Sequence, residues 1–180
     1  EPLNNYSMVL SSELESEEAY EGAVFINDEY NLSANISLNT GIRVSGYSNP
    51  EAPKEFGFEP RLSAKFRLND FSSVKVSYNR NFQYLSMISY SSVSTPADIW
   101  KLSDSYIRPL EANQFALGYY RNFLNNSIET SVEIYYKGLN HVIEYKDGAN
   151  LEMNPELRNE LIDATGRNYG VEFLLKKDQK

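Results

Sequence analysis

Six separate stretches of this chain alternate apolar and polar side chains, and that period admits only strands whose two faces differ in chemistry. In Ile36–Ser45 the even positions are apolar or Thr and the odd positions polar or Gly. Arg61–Leu68 and Ser73–Asn79 keep the rule, Gln114–Tyr119 carries it with the parity reversed, and Ser127–Lys137 is the longest example. Asn168–Lys176 closes the series, with Leu174 breaking its polar face. Tyr20–Asn27 is rich in strand formers but nearly apolar on both faces, and is predicted as a seventh strand. Across the six clean stretches no Asp, Glu, Lys or Arg falls on the apolar parity. Arg43, Arg61, Lys65, Arg67, Lys75, Glu129, Glu133, Lys137, Glu172 and Lys176 all fall on the other.

A soluble β-sandwich and a lipid-facing barrel both produce one charge-free face. On a barrel, outward charge costs about 2–4 kcal/mol near the bilayer centre, which explains the exclusion directly. Connection lengths separate the two. The predicted strands fall at about 19–28, 35–45, 61–69, 73–80, 112–121, 127–137 and 167–177 of the 180 residues. Between them, short links at Asp28–Asn31, Asn69–Ser72 and Asn122–Asn126 alternate with long ones at Gly46–Pro60, Arg80–Glu111 and Gly138–Gly166. Such alternation is what outer-membrane barrels show, with short periplasmic turns and long extracellular loops, and a Greek-key sandwich has no reason for it. The expected fold is therefore all-β: antiparallel up-and-down strands forming part of a transmembrane β-barrel. Complete bacterial barrels have an even strand count, so residues 1–180 are expected to be a single consecutive piece of a larger barrel domain. The alternative is an eighth strand near Tyr6–Leu10 that closes a small barrel.

Composition narrows the chemistry. Net charge is −8, from 17 Lys and Arg against 25 Asp and Glu, and the basic residues are scattered, so no nucleic-acid partner is expected. With no Cys, a single histidine at His141, and neither a phosphate loop nor a nucleophile elbow, the sequence predicts no enzyme, no cofactor and no metal site. His141 is expected to hydrogen-bond at a rim just past a strand end. Glu13, Glu15, Glu17 and Glu18 lack the spacing of a calcium loop and read as a solvated stretch. Asn154, Pro155, Glu156 and Leu157, followed by Leu161 and Ile162, read as a short capped helix in the last loop. The loop from Arg80 to Glu111 carries the candidate ligand-binding residues Tyr84, Tyr90, Asp98, Trp100, Asp104 and Tyr106, since aromatic rings among acceptors suit stacking and hydrogen bonding at low entropy cost. The competing expectation is that Trp100 and Ile99 anchor the loop or that its tyrosines join an aromatic girdle.

Several runs resemble the barrel domain of TonB-dependent outer-membrane receptors. They are Pro60–Ser63 with Ser73–Arg80, the loop Thr95–Trp100, Glu133–Lys137 and, most like receptors of Bacteroidetes type, Gly166–Glu172; Asn27–Tyr30 followed by Gly41–Ser45 resembles their strand–turn–strand element. Specificity lies in the order of these motifs, which covers roughly residues 20–177. The resemblance implies a bacterial outer-membrane location, a 22-stranded barrel with an N-terminal plug, a scarce imported ligand, contact with outer-membrane lipid, and a TonB complex that acts through a plug absent from this segment. The alternative from another class is a small outer-membrane or secreted β-domain for binding or adhesion that transports nothing.

Overall fold

A computed structural model describes residues 17–50, 52–88, 99–124, 127–149 and 157–177. Seven strands form one antiparallel sheet: β1 (Tyr20–Ser33), β2 (Ile36–Ser48), β3 (Glu55–Asn69), β4 (Ser72–Gln83), β7 (Leu110–Phe123), β8 (Ile128–Tyr145) and β9 (Leu161–Lys177). Each pairs with its neighbour in that order. Between β4 and β7 a separate hairpin is made by β5 (Leu85–Ile88) and β6 (Ile99–Leu102). Among the described residues β1 and β9 each pair on one side only, so the sheet is open.

Register carries the alternation across the sheet. Phe66 faces Val74, which faces Tyr119, which faces Val132; Val76, Leu117 and Ile134 form the next row. Glu129 and Glu133 point to the opposite side, with Lys65, Lys75 and Glu172. The apolar face is bare: Phe115, Leu117, Ile134 and Val171 are all exposed, whereas the buried side chains gather toward the loop end. A water-soluble sheet would cover such a face with a second layer. A bare apolar face of this kind is what a lipid-facing barrel wall presents.

The dimensions agree. On β9 the outward residues Tyr169, Val171, Phe173 and Leu175 lie between Arg167 and Lys177. That separation, about 3.3 Å per residue on a strand tilted near 45°, spans roughly 23 Å against the roughly 25 Å apolar band of outer-membrane barrels. Tyr78, Phe115, Tyr136 and Tyr169 are consecutive neighbours in one row, an aromatic belt at the loop-side edge of the band. Among the described residues no helix is long and apolar enough to cross a membrane.

Three local expectations change. Asp28–Asn31 is not a turn: β1 continues to Ser33, with Asp28 opposite Thr40 and Tyr30 opposite Leu38, and the reversal falls at residues 34–35. Asp28 is tolerated on the apolar parity because it sits at the turn-side edge of β1, where outward charge costs little. His141 lies within β8 rather than past its end, at a bulge where it takes φ 61° and its neighbours Asn140 and Val142 resume pairing with Thr165 and Ala164. Leu161 and Ile162 begin β9, and among the described residues of this loop Leu157–Glu160 forms a turn of 3-10 helix. Pairing with Tyr145 and Glu144 claims their backbone. Tyr6–Leu10, Glu13, Glu15 and Asn154–Glu156 lie outside the described residues.

Candidate functional site

The loop-end surface is built on a buried polar cluster. Glu59 (β3), only 1% exposed, accepts hydrogen bonds from Arg43 Nη1 at 2.6 Å and from Ser45 Oγ at 2.8 Å. A serine hydroxyl has one proton, already given to Glu59, so the Tyr84 phenol donates to Ser45 Oγ across 2.9 Å. Tyr84 also stacks on Tyr47 (β2), centroids 4.8 Å apart and planes within 2°. Burial pushes the Tyr84 phenol above its ordinary pKa, which keeps it a donor. Gly57 makes the fit possible: a Cβ there would lie 2.5 Å from Ser45 Oγ and 2.8 Å from both Phe82 and the Tyr84 hydroxyl.

The segment after β6 is fastened to this cluster. Ser103 N–H donates to Tyr84 O at 2.8 Å, and Ser103 O accepts from Tyr47 Oη at 2.8 Å and Asn49 Nδ2 at 3.2 Å. Asp104 Oδ1 then accepts the backbone N–H groups of Tyr106 and Ile107, both at 2.7 Å, and folds the chain back. A second anchor is apolar: Ile88 and Ile107 pack with Tyr145, with Ile143, Ala149 and Leu161 around them. A third is ionic, with Arg108 and His141 both bonded to Asp163 Oδ2 at 2.7 and 3.0 Å.

The sequence-predicted residues separate accordingly. Tyr84 is 3% exposed and Asp104 is engaged with backbone, so both build the loop. Trp100 and Tyr106 are 60% and 69% exposed, and Trp100 faces Met87 across the hairpin, with Leu85 and Met87 exposed beside it. Tyr90 and Asp98 lie outside the described residues. Among the described side chains, packing of the hairpin falls to Tyr84, Ile88 and Ile107 and not to Trp100, and the Ile99 side chain lies outside them. Sequence reading missed Tyr47, Glu59 and Ser103. Their one signal is a polar or aromatic residue on the charged parity near a strand end, which does not distinguish a buried network from a solvated rim. Among the described residues no group of three His, Asp or Glu side chains is placed to hold a metal.

The family model for the TonB dependent receptor-like β-barrel matches residues 2–178. This chain belongs to that family. As a member of it, the chain is a segment of a TonB dependent receptor-like barrel. No curated protein matches it. Among solved structures it is similar to the ferripyoverdine receptor of Pseudomonas aeruginosa bound to ferripyoverdine, at 20% identity and TM-score 0.63, over 91% of this chain and 21% of that one. It is also similar to the alcaligin receptor FauA of Bordetella pertussis, at 14% identity and TM-score 0.60, over 88% and 27%. A third is the siderophore receptor PirA of P. aeruginosa, at 15% identity and TM-score 0.61, over 87% and 31%. At these identities the likeness is one of fold. The segment spans between a fifth and a third of these receptor chains.

Proposed function

We propose that the receptor carrying this segment binds a scarce ligand outside the cell and imports it with energy from the TonB complex, through a plug contributed by other parts of the protein. The segment supplies lipid-facing wall and one ligand-contact surface. The observation that carries this reading is the hairpin, held at both ends by buried contacts while Trp100 and Tyr106 stay exposed. Fixed rings offer stacking area with little entropy to lose on binding. Trp100 and Tyr106 make the contacts, Tyr90 and Asp98 extend the same loop, and Tyr84 and Asp104 hold its shape. Siderophore receptors among the structural neighbours support a ferric chelate as the ligand class. The order of sequence motifs supports the Bacteroidetes type.

The test is radio-iron binding and uptake from a panel of ferric chelates by the full-length receptor. Trp100→Ala combined with Tyr106→Ala is expected to weaken binding by about tenfold or more, at roughly 1 kcal/mol per stacked ring, with barrel insertion unchanged. Undiminished affinity in the double variant removes the hairpin from the ligand site. Failure of every ferric chelate to bind rejects the ligand class.

A further inference from the structure

Glu17, expected in a solvated stretch, instead reaches across the loop end and gives both carboxylate oxygens to β6. Oε1 pairs with the Lys101 ammonium, and Oε2 accepts the Leu102 N–H at 3.2 Å. Register explains why that N–H is open to a partner. Ser103 N–H donates to Tyr84 O, and in an antiparallel pair hydrogen-bonded and non-bonded positions alternate. Leu102, opposite Leu85, therefore occupies a non-bonded position, and its N–H points out along the edge of β6. The Lys101 and Glu17 side chains are only 20% and 27% exposed, so water screens the pair less than it would on an open surface. Among the described residues no other carboxylate is bonded to Lys101.

Glu17 is lightly held. Residues 17–19 precede β1 and, among the described residues, make no hydrogen bond except through this carboxylate. A partly solvated ion pair contributes little net stability, so a rival carboxylate can take its place. We infer that Lys101 Nζ and the Leu102 N–H form a carboxylate seat, that Glu17 fills it in the unliganded receptor, and that the imported ligand carries a carboxylate that displaces Glu17. The seat asks for two acceptor oxygens on one centre, because the ammonium and the edge N–H arrive from different directions. Trp100 is the next residue along β6, on the opposite face of the hairpin from Lys101. An edge N–H is open to both faces, so a ligand stacked on Trp100 meets the seat at the edge. This deepens the proposed function and rests on the hairpin being the ligand surface.

Two measurements on the full-length receptor test it. In the first, Glu17→Ala empties the seat, and hydrogen exchange across residues 99–104 is expected to speed up several-fold at Leu102. Excess sodium propionate, which restores the missing carboxylate, should bring protection back, whereas propionamide or sodium chloride at the same concentration should not. Adding Lys101→Met should abolish the rescue. Unchanged exchange in Glu17→Ala, or rescue no better than chloride gives, overturns the seat. In the second, one synthetic catecholate chelator is made with a pendant carboxylate and as its primary amide, and binding of both ferric complexes is compared. Glu17→Ala should tighten binding of the carboxylate complex by about tenfold, the worth of one charge-assisted hydrogen bond, and leave the amide complex unchanged. Lys101→Met should make the two complexes bind alike. A carboxylate complex bound no better by Glu17→Ala than by the parent protein makes Glu17 a structural clasp and overturns the inference. Failure of both complexes to bind the parent protein rejects the ferric-chelate class instead, and propionate rescue then decides the seat on its own.

Discussion

Gly57 is the residue on which the loop end depends most sharply. Its missing side chain is the space that Ser45, Phe82 and the Tyr84 hydroxyl share. Gly57→Val is expected to expel Tyr84 from its stack on Tyr47 and to leave Glu59 buried beside fewer donors, an effect of about 2 kcal/mol or more. Thermal unfolding of the full-length receptor should show the loss, and limited proteolysis should cut between Gln83 and Leu110 before the wall is touched. Tyr84→Phe, which removes one hydrogen bond and keeps the ring, should cost only about 1 kcal/mol. Little of this was legible in the chain. Tyr84 and Trp100 look alike as aromatics in a polar loop, and which of them is buried depends on a glycine in a different strand. No local pattern contains that information.

At the scale of the element, alternation found six of the seven wall strands because lipid on one side and water on the other impose opposite demands at every second residue, while β1 was found by its strand formers. It underestimated their lengths. Beyond the belt no lipid enforces the pattern, and in β8 the bulge at His141 shifts the parity, so Val142 to Tyr145 no longer reads as a continuation of Ser127–Lys137. That bulge brings His141 to Asp163, which lies beyond the lipid-facing part of β9. Burial alone would raise the Asp163 carboxyl, but the hydrogen bonds from His141 and Arg108 outweigh it and hold it below the usual carboxylate range. A carboxyl depressed in the folded state stabilises fully above its unfolded pKa and loses that contribution as pH falls through the lower folded value. The latch between residues 104–109 and β9 should therefore loosen in that acidic window, by less than about 1 kcal/mol because the pair is partly solvated. Hydrogen exchange of residues 104–109, corrected for the intrinsic pH dependence, should show the loosening in the parent protein and no such step in Asp163→Asn.

For the whole molecule, the two faces predict opposite responses to the same substitution. Ile134→Arg places a charge in the apolar band and should cost about 2–4 kcal/mol if it lies near the bilayer midplane. Glu133→Arg, on the charged face of the same strand and opposite Glu172, should change stability far less. Refolding of the full-length receptor into lipid vesicles, titrated with urea, measures both. Equal losses would mean that the two faces meet the same medium. Fold class was legible at this scale because a bilayer acts on all seven strands alike, so the signal repeats. The hairpin surface, assembled once from single residues of several strands, leaves no repeat to read.

The bond from Ser103 N–H to Tyr84 O bears on the order in which the wall assembles. Every other neighbouring pair in the sheet is joined by 15 residues or fewer, but β4 and β7 are separated by residues 84–109. Once Ser103 is clasped to Tyr84, only residues 104–109 remain to be spanned. Closing that shorter loop is favoured by about 1 kcal/mol in chain entropy, from the logarithmic dependence on length. The hairpin thus shortens the loop that must close to bring β7 to β4. Ser103→Pro, which removes the donor, should slow insertion of the β7–β9 half of this wall in a vesicle-folding time course while leaving the β1–β4 half at its normal rate.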